Sequence, residues 1–174
     1  MKNEKIKKII KEYLPYVLII IAVLLIKRFV ISPVNVVGDS MYPTLHDGYV
    51  MLLDEIYYKF DKLERFDIVV VKYKDASGKS EYIIKRVIGL PGETISYENG
   101  KLYVNGKYVK EKFSHEGTKD FKAVTLGDNK YFVMGDNRKI SLDSRYIGPI
   151  DKDDIRGRTI ISIYPFSKFG KSNY

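Results

Sequence analysis

The sequence predicts an all-β domain preceded by one N-terminal transmembrane helix. Three observations carry this: a mostly apolar run from Tyr13 to Ile31, a change from helical to period-2 hydrophobic patterning after Ser32, and turn signals at short intervals beyond it. At 174 residues the chain can hold one sizeable core plus a membrane segment, but not several large domains.

Residues 1–12 form a basic flank with Ile6, Ile9 and Ile10 at helical spacing. The block Tyr13 to Ile26 matches the length of a cleavable leader, yet no small-x-small cleavage site follows it. Instead Lys27 and Arg28 interrupt and Phe29-Val30-Ile31 resume the apolar run. Residues 13–31 give roughly 28 Å of helix at about 1.5 Å per residue, provided the two basic side chains snorkel to the interface. This reads as an uncleaved anchor of a single-pass cell-membrane protein, with the lysines before it holding the N-terminus in the cytoplasm and residues 32–174 outside.

Charge supports that division. The net charge is +8, but residues 1–31 carry seven Lys/Arg against Glu4 and Glu12, whereas the rest carries 23 against 20. The excess belongs to a membrane flank, which argues against a nucleic-acid partner and for the lipid bilayer. The absence of cysteine excludes thiol nucleophiles, disulfides and thiolate metal sites.

In the β region, strands are expected over Val34–Val37, Tyr49–Leu53, Asp67–Tyr73, Tyr82–Gly89, Thr94–Glu98, Lys101–Val104, Lys107–Lys112, Lys130–Met134 and Thr159–Tyr164. Asn99-Gly100 and Asn105-Gly106 are specific hairpin signals, and residues 94–130 form a small β insertion. Glu55–Lys62 reads as a short helix or loop and Asp151–Arg158 as a charged connection, with a frayed tail from Ser167.

Ser40 sits between an extended apolar run and the proline-stiffened turn Met41-Tyr42-Pro43-Thr44-Leu45. Its hydroxyl becomes a nucleophile only if a base takes its proton. His46 and His115 are the only imidazoles, and both read as loop residues. Lys85 is the better candidate. In Glu81-Tyr82-Ile83-Ile84-Lys85-Arg86-Val87-Ile88, alternation puts Lys85 on one face with Ile83 and Val87, and Arg86 on the other with Tyr82, Ile84 and Ile88. Lowering its pKa from about 10.4 to near 8 takes roughly 3 kcal/mol, which burial of the ammonium can supply. A third polar cluster, Gly135 to Arg145, follows the strand Tyr131-Phe132-Val133-Met134.

The anchor, Gly38-Asp39-Ser40-Met41-Tyr42-Pro43-Thr44-Leu45, Lys85-Arg86-Val87-Ile88-Gly89-Leu90-Pro91-Gly92-Glu93 and the Gly-Asp-Asn-Arg loop stand in one order along nearly the whole chain. In this the chain resembles the bacterial type I signal peptidases, membrane-anchored Ser/Lys proteases, and most of all their compact Gram-positive type. Arg65-Phe66-Asp67-Ile68-Val69-Val70 resembles a further family block, with Phe66 where glycine is usual. The resemblance implies a catalytic domain of the signal-peptidase β fold, with Ser40 as nucleophile and Lys85 as general base. Ser141 would orient the lysine amine, and Asp143 and Arg145 would brace their loop. The Ser40 N–H would serve the oxyanion; some relatives add a hydroxyl two residues earlier, where this chain has Gly38. The implied substrates are secretory preproteins, cut after small-x-small sites near the secretion translocon, without metal or cofactor. The substrate strand would lie between Val34, Val36 and Gly38 on one side and Tyr82, Ile83 and Ile84 on the other. Two other readings stay open here: a self-cleaving Ser/Lys protease of the repressor-fused kind, and a membrane-tethered β module that binds secreted chains or lipid headgroups without catalysis.

Overall fold

The computed structural model describes residues 2–29, 31–56, 62–75, 77–113 and 117–170. Helix α1 (Lys2–Phe29) takes in the basic flank and runs through Pro15 without a break. Its side chains from Ile9 to Ile21 that are large and apolar stand exposed on every side. Among the described residues no helix is long and apolar enough to cross a membrane. Ile31, expected at the end of the apolar span, is the first residue of strand β1 (Ile31–Asn35).

Ten further strands follow: β2 (Val50–Asp54), β3 (Ile68–Lys74), β4 (Ser80–Gly89), β5 (Thr94–Glu98), β6 (Lys101–Val104), β7 (Lys107–Val109), β8 (Phe121–Thr125), β9 (Lys130–Met134), β10 (Ile150–Asp151) and β11 (Ile155–Tyr164). They form a seven-stranded sheet in the order β1-β2-β11-β3-β4-β9-β10 and a four-stranded sheet in the order β7-β6-β5-β8. Every pairing is antiparallel.

Strand β3 explains where the cores lie. Ile68, Val69, Val70 and Val71 form a continuous apolar run, so alternation sends side chains to two buried faces. Val69 and Val71 join Leu63, Val87, Tyr131 and Ile155 on one face. Ile68 and Val70 join Val36, Met41, Leu45, Met51 and Ile84 on the other. A third cluster, including Ile88, Ile95, Tyr97, Leu102, Phe132 and Met134, packs the small sheet against the large one. Each such side chain contributes about 1.5–3 kcal/mol on burial.

Several expectations need correction. The first strand lies earlier than Val34–Val37, because Val36 is already folded into the core beyond β1 and its N–H bonds the Tyr49 carbonyl. The expected strand Lys107–Lys112 ends at Val109. Asp151–Arg158 is not a plain connection: it contains the end of β10, a 3-10 turn (Lys152–Asp154) and the start of β11. There the buried Ile155 and Gly157 alternate with exposed Arg156, a strand pattern masked by charge in the sequence. The tail keeps a 3-10 turn (Phe166–Lys168), tied back by Gly170 N–H to the Ser162 carbonyl. Most of Glu55–Lys62 lies outside the described residues, as does His115.

One consequence of the topology positions the site. β3 pairs with β4 over Ser80–Arg86, whereas β9 covers only Arg86–Gly89 on the other side. The outer edge of β4 from Ser80 to Lys85 is therefore left without a strand partner.

Candidate active site

Ser40 follows β1 in a turn held from below by Met41 and Leu45, both fully buried. Leu45 N–H bonds the Met41 carbonyl, and the Tyr42–Pro43 peptide bond is cis. The Ser40 carbonyl accepts from Asn137 N–H at 3.0 Å, which ties this turn to the Gly135–Arg145 loop. The Ser40 N–H donates to no partner among the described residues, so it is available to an oxyanion. Gly38 has φ +75°, in the region that favours glycine, and its N–H is already bound to Asp47 Oδ1 at 2.7 Å.

Lys85 reaches this turn from the middle of β4. Its Nζ lies 2.8 Å from Ser40 Oγ and 2.9 Å from the Ile84 carbonyl. Only 3% of the residue is exposed. Burial pushes its pKa down to about 8, outweighing the opposite pull of the Asp143 and Asp136 charges. A neutral amine at this separation can accept the serine proton, so the pair has the geometry of a nucleophile and its base.

His46 is not part of this arrangement. Its ring meets Tyr42 edge-on at 5.0 Å and stacks on Tyr49 at 5.2 Å. Ser141 is buried beside the site, but its Oγ has no hydrogen-bond partner among the described residues. The expected bond from Ser141 to the lysine amine is thus absent from this structure; Lys85 bonds the Ile84 carbonyl and Ser40 instead. Ser141 Oγ and the Ser40 carbonyl both crowd the position a side chain would take on Gly135, so only glycine fits between them.

Asp143 and Arg145 do meet. Arg145 Nε and Nη2 each donate to the Asp143 carboxylate at 2.8 Å. Asp143 also accepts from Gly135 N–H, while Arg145 donates to the Arg138 carbonyl. Asp143 further caps α2 (Ser144–Ile147) by accepting from Arg145 N–H.

Sequence reasoning missed two buried ion pairs that hold the same loop. Arg86, on the face of β4 opposite Lys85, grips Asp136 through Nε at 2.8 Å and Nη2 at 2.6 Å. Thr44, four residues after the serine, donates to Asp136 Oδ2. Arg138 bonds the Gly135 carbonyl, Glu111 and the Tyr97 hydroxyl, so the small sheet is anchored to the loop. Burial and Glu111 push the Tyr97 pKa up, so its hydroxyl stays protonated. The signal for Asp136 and Arg138 lay in the Gly-Asp-Asn-Arg motif; nothing in the sequence pointed to Tyr97 or Glu111 as their partners.

Of the expected substrate contacts, Val34, Val36 and Ile84 pack in one cluster. Gly38 opens onto free space, and Tyr82 is exposed on the β4 edge. Ile83 differs: alternation turns its side chain into the opposite core, leaving only its main chain on the edge. Among the described residues no cluster of three or more His, Cys, Asp or Glu could hold a metal ion.

Comparison with known proteins decides the family. Residues 7–164 match the model described as signal peptidase, peptidase S26. The chain belongs to the signal peptidase family. It is 39% identical over 189 residues to signal peptidase I S of Bacillus subtilis, covering 99% of this chain and 100% of that one. It is 36% identical over 193 residues to signal peptidase IB of Staphylococcus aureus, covering 100% and 96%. A solved signal peptidase I from Enterococcus faecalis shares 33% identity, covers 56% of this chain and 97% of its own, and has a TM-score of 0.47.

Proposed function

We propose that this signal peptidase family member is a serine endopeptidase that removes N-terminal signal peptides from exported preproteins, using Ser40 and Lys85. The observation that carries the Ser/Lys assignment is the 2.8 Å approach of a buried amine, with its pKa lowered to about 8, to Ser40 Oγ. Neutral Lys85 takes the Ser40 proton as Oγ attacks the scissile carbonyl carbon. The oxyanion that forms faces the Ser40 N–H. The lysine ammonium then gives that proton to the departing amine, the new N-terminus of the mature chain, leaving the signal peptide as an ester on Ser40. Water, deprotonated by Lys85, attacks the ester and releases the signal peptide with a free carboxylate.

The preprotein would enter as an extended strand along the open edge of β4, from Ser80 to Lys85, where main-chain groups are unpaired by a neighbouring strand. Val34, Val36 and Ile84, packed in one cluster, would give that strand an apolar floor suited to small side chains one and three residues before the cut. Helix α1 would anchor this domain to the bilayer near the translocon, N-terminus in the cytoplasm. Apolar side chains all round a helix suit a surrounding apolar medium.

The test is cleavage of a preprotein with an Ala-x-Ala site by the full-length protein in detergent, with the cut mapped by mass. The parent should cut after the second Ala, while Ser40→Ala and Lys85→Ala should each lose at least a hundredfold in rate, about the scale of one lost acid–base partner. Equal cleavage by all three would remove both assignments.

A further inference from the structure

Tyr82, Arg156 and Glu55 take no part in the Ser40–Lys85 chemistry, yet they form a built surface beside it. A register shift between Ile155 and Gly157 marks a bulge in β11, and the bulge sets Arg156 outward between two buried neighbours. The Arg156 guanidinium lies 5.2 Å over the Tyr82 ring. Its Nε and Nη2 both bond Glu55 Oε1, at 3.2 Å and 2.9 Å. This group opens onto a cavity of about 660 Å³.

We propose that Tyr82, Arg156 and Glu55 form the subsite for the preprotein side chain five residues before the cut, and that it selects an uncharged polar residue there. The proposal rests on the signal-peptidase reading above. β9 closes the β4 edge from Arg86 onward, so a substrate strand ending at Ser40 can reach back only along Lys85 to Ser80. Side chains on an extended strand alternate, so positions one, three and five before the cut share a face. Ile84 and Tyr82 also share a face of β4. With Ile84 lying between positions one and three, Tyr82 lies between three and five, so position five is the outer neighbour of Tyr82 and, through the guanidinium stacked on that ring, of Arg156.

The chemistry of the surface sets the preference. Arg156 Nη1, Glu55 Oε2 and the Tyr82 hydroxyl have no hydrogen-bond partner among the described residues, so donors and acceptors are offered together. An amide or hydroxyl uses both kinds. The cavity's charges also balance, with Lys72, Lys152 and Arg156 against Glu55, Asp153 and Asp154. A charged guest thus finds no net attraction to offset its desolvation.

The experiment compares three preproteins that differ only at the fifth residue before an Ala-x-Ala cut, carrying Gln, Glu or Lys there. For the full-length parent, kcat/KM should favour Gln over either charge by about two- to fivefold, the range of a partly exposed charge interaction. Glu55→Gln should move the preference towards Glu, and Arg156→Gln towards Lys. Indifference of the parent to the three residues, or the same ranking in the parent and both variants, overturns the subsite. The parent series needs no variant, so it decides the matter even if a substitution disturbs folding. A parent that cuts another Ala-x-Ala preprotein but none of the three overturns the subsite alone; a parent that cuts no preprotein at all overturns the peptidase reading and the subsite with it.

Discussion

Among the described residues, Lys85 Nζ has only neutral acceptors within hydrogen-bond reach, Ser40 Oγ and the Ile84 carbonyl. The carboxylates that favour its charge, Asp143 and Asp136, are bonded to Arg145 and Arg86 instead. The folded chain therefore holds a lysine pKa of about 8 against the ordinary 10.5. Below about pH 8 the lysine is charged both folded and unfolded, and the fold bears the full burial cost, on the order of 3 kcal/mol. That cost shrinks as pH rises from 8 to 10.5, where the unfolded lysine also loses its proton. Lys85→Met should accordingly be more stable than the parent at pH 7 in denaturant titrations, with the difference fading towards pH 10.5. A variant less stable at pH 7 would contradict the burial argument. Lys85 was legible in the sequence because a cation on an apolar stripe violates the strand pattern. Phe66 adopts φ +78°, a conformation that favours glycine, which its residue type did not announce. Ser141 was legible as a loop residue, but its missing bond was not, since hydrogen-bond partners depend on where the lysine amine turns.

The Gly135–Arg145 loop is held in place by groups from four places in the chain. Arg86 comes from β4, Thr44 from the serine turn, Tyr97 from β5, and Glu111 from the segment after β7. The Arg86–Asp136 pair is almost fully buried, at 1% and 0% side-chain exposure. Removing Asp136 takes a buried, doubly bonded carboxylate from the Arg86 guanidinium, which costs about 3–5 kcal/mol. Asp136→Ala should therefore lose that much stability in denaturant unfolding and slow cleavage as well; a loss under about 1 kcal/mol would show that the pair is not what holds the loop. Elements with strong local chemistry were readable: Asn99-Gly100 and Asn105-Gly106 all have positive φ, as hairpin turns of this kind require. β8 was missed because it is a half-exposed edge strand, and Phe-Lys-Ala-Val-Thr shows no clean alternation. The first residues of β11 were missed because Arg156 and Arg158 disguised a strand as a charged loop.

At the scale of the whole molecule, α1 leads directly into β1, and β1 leads into the turn that carries Ser40. A membrane anchor would thereby hold the serine close to the bilayer, where a signal peptide must be cut. Alkaline carbonate extraction of cell membranes should leave the full-length protein in the pellet, and deletion of residues 1–30 should release it; extraction of the full-length protein would contradict an anchoring α1. The division between a helical N-terminus and a β domain was legible from periodicity alone. The open edge of β4 from Ser80 to Lys85 entered the sequence reading only with the expected substrate strand, because its extent depends on where β9 stops pairing. The most direct measurement of the account is the single-turnover cleavage rate of the full-length protein, with chemistry rate-limiting, from pH 6 to 9. A base with a pKa of about 8 predicts a rate that rises about tenfold per unit in acid and levels above pH 8. A rate that stays flat across this range would contradict Lys85 as the base that activates Ser40.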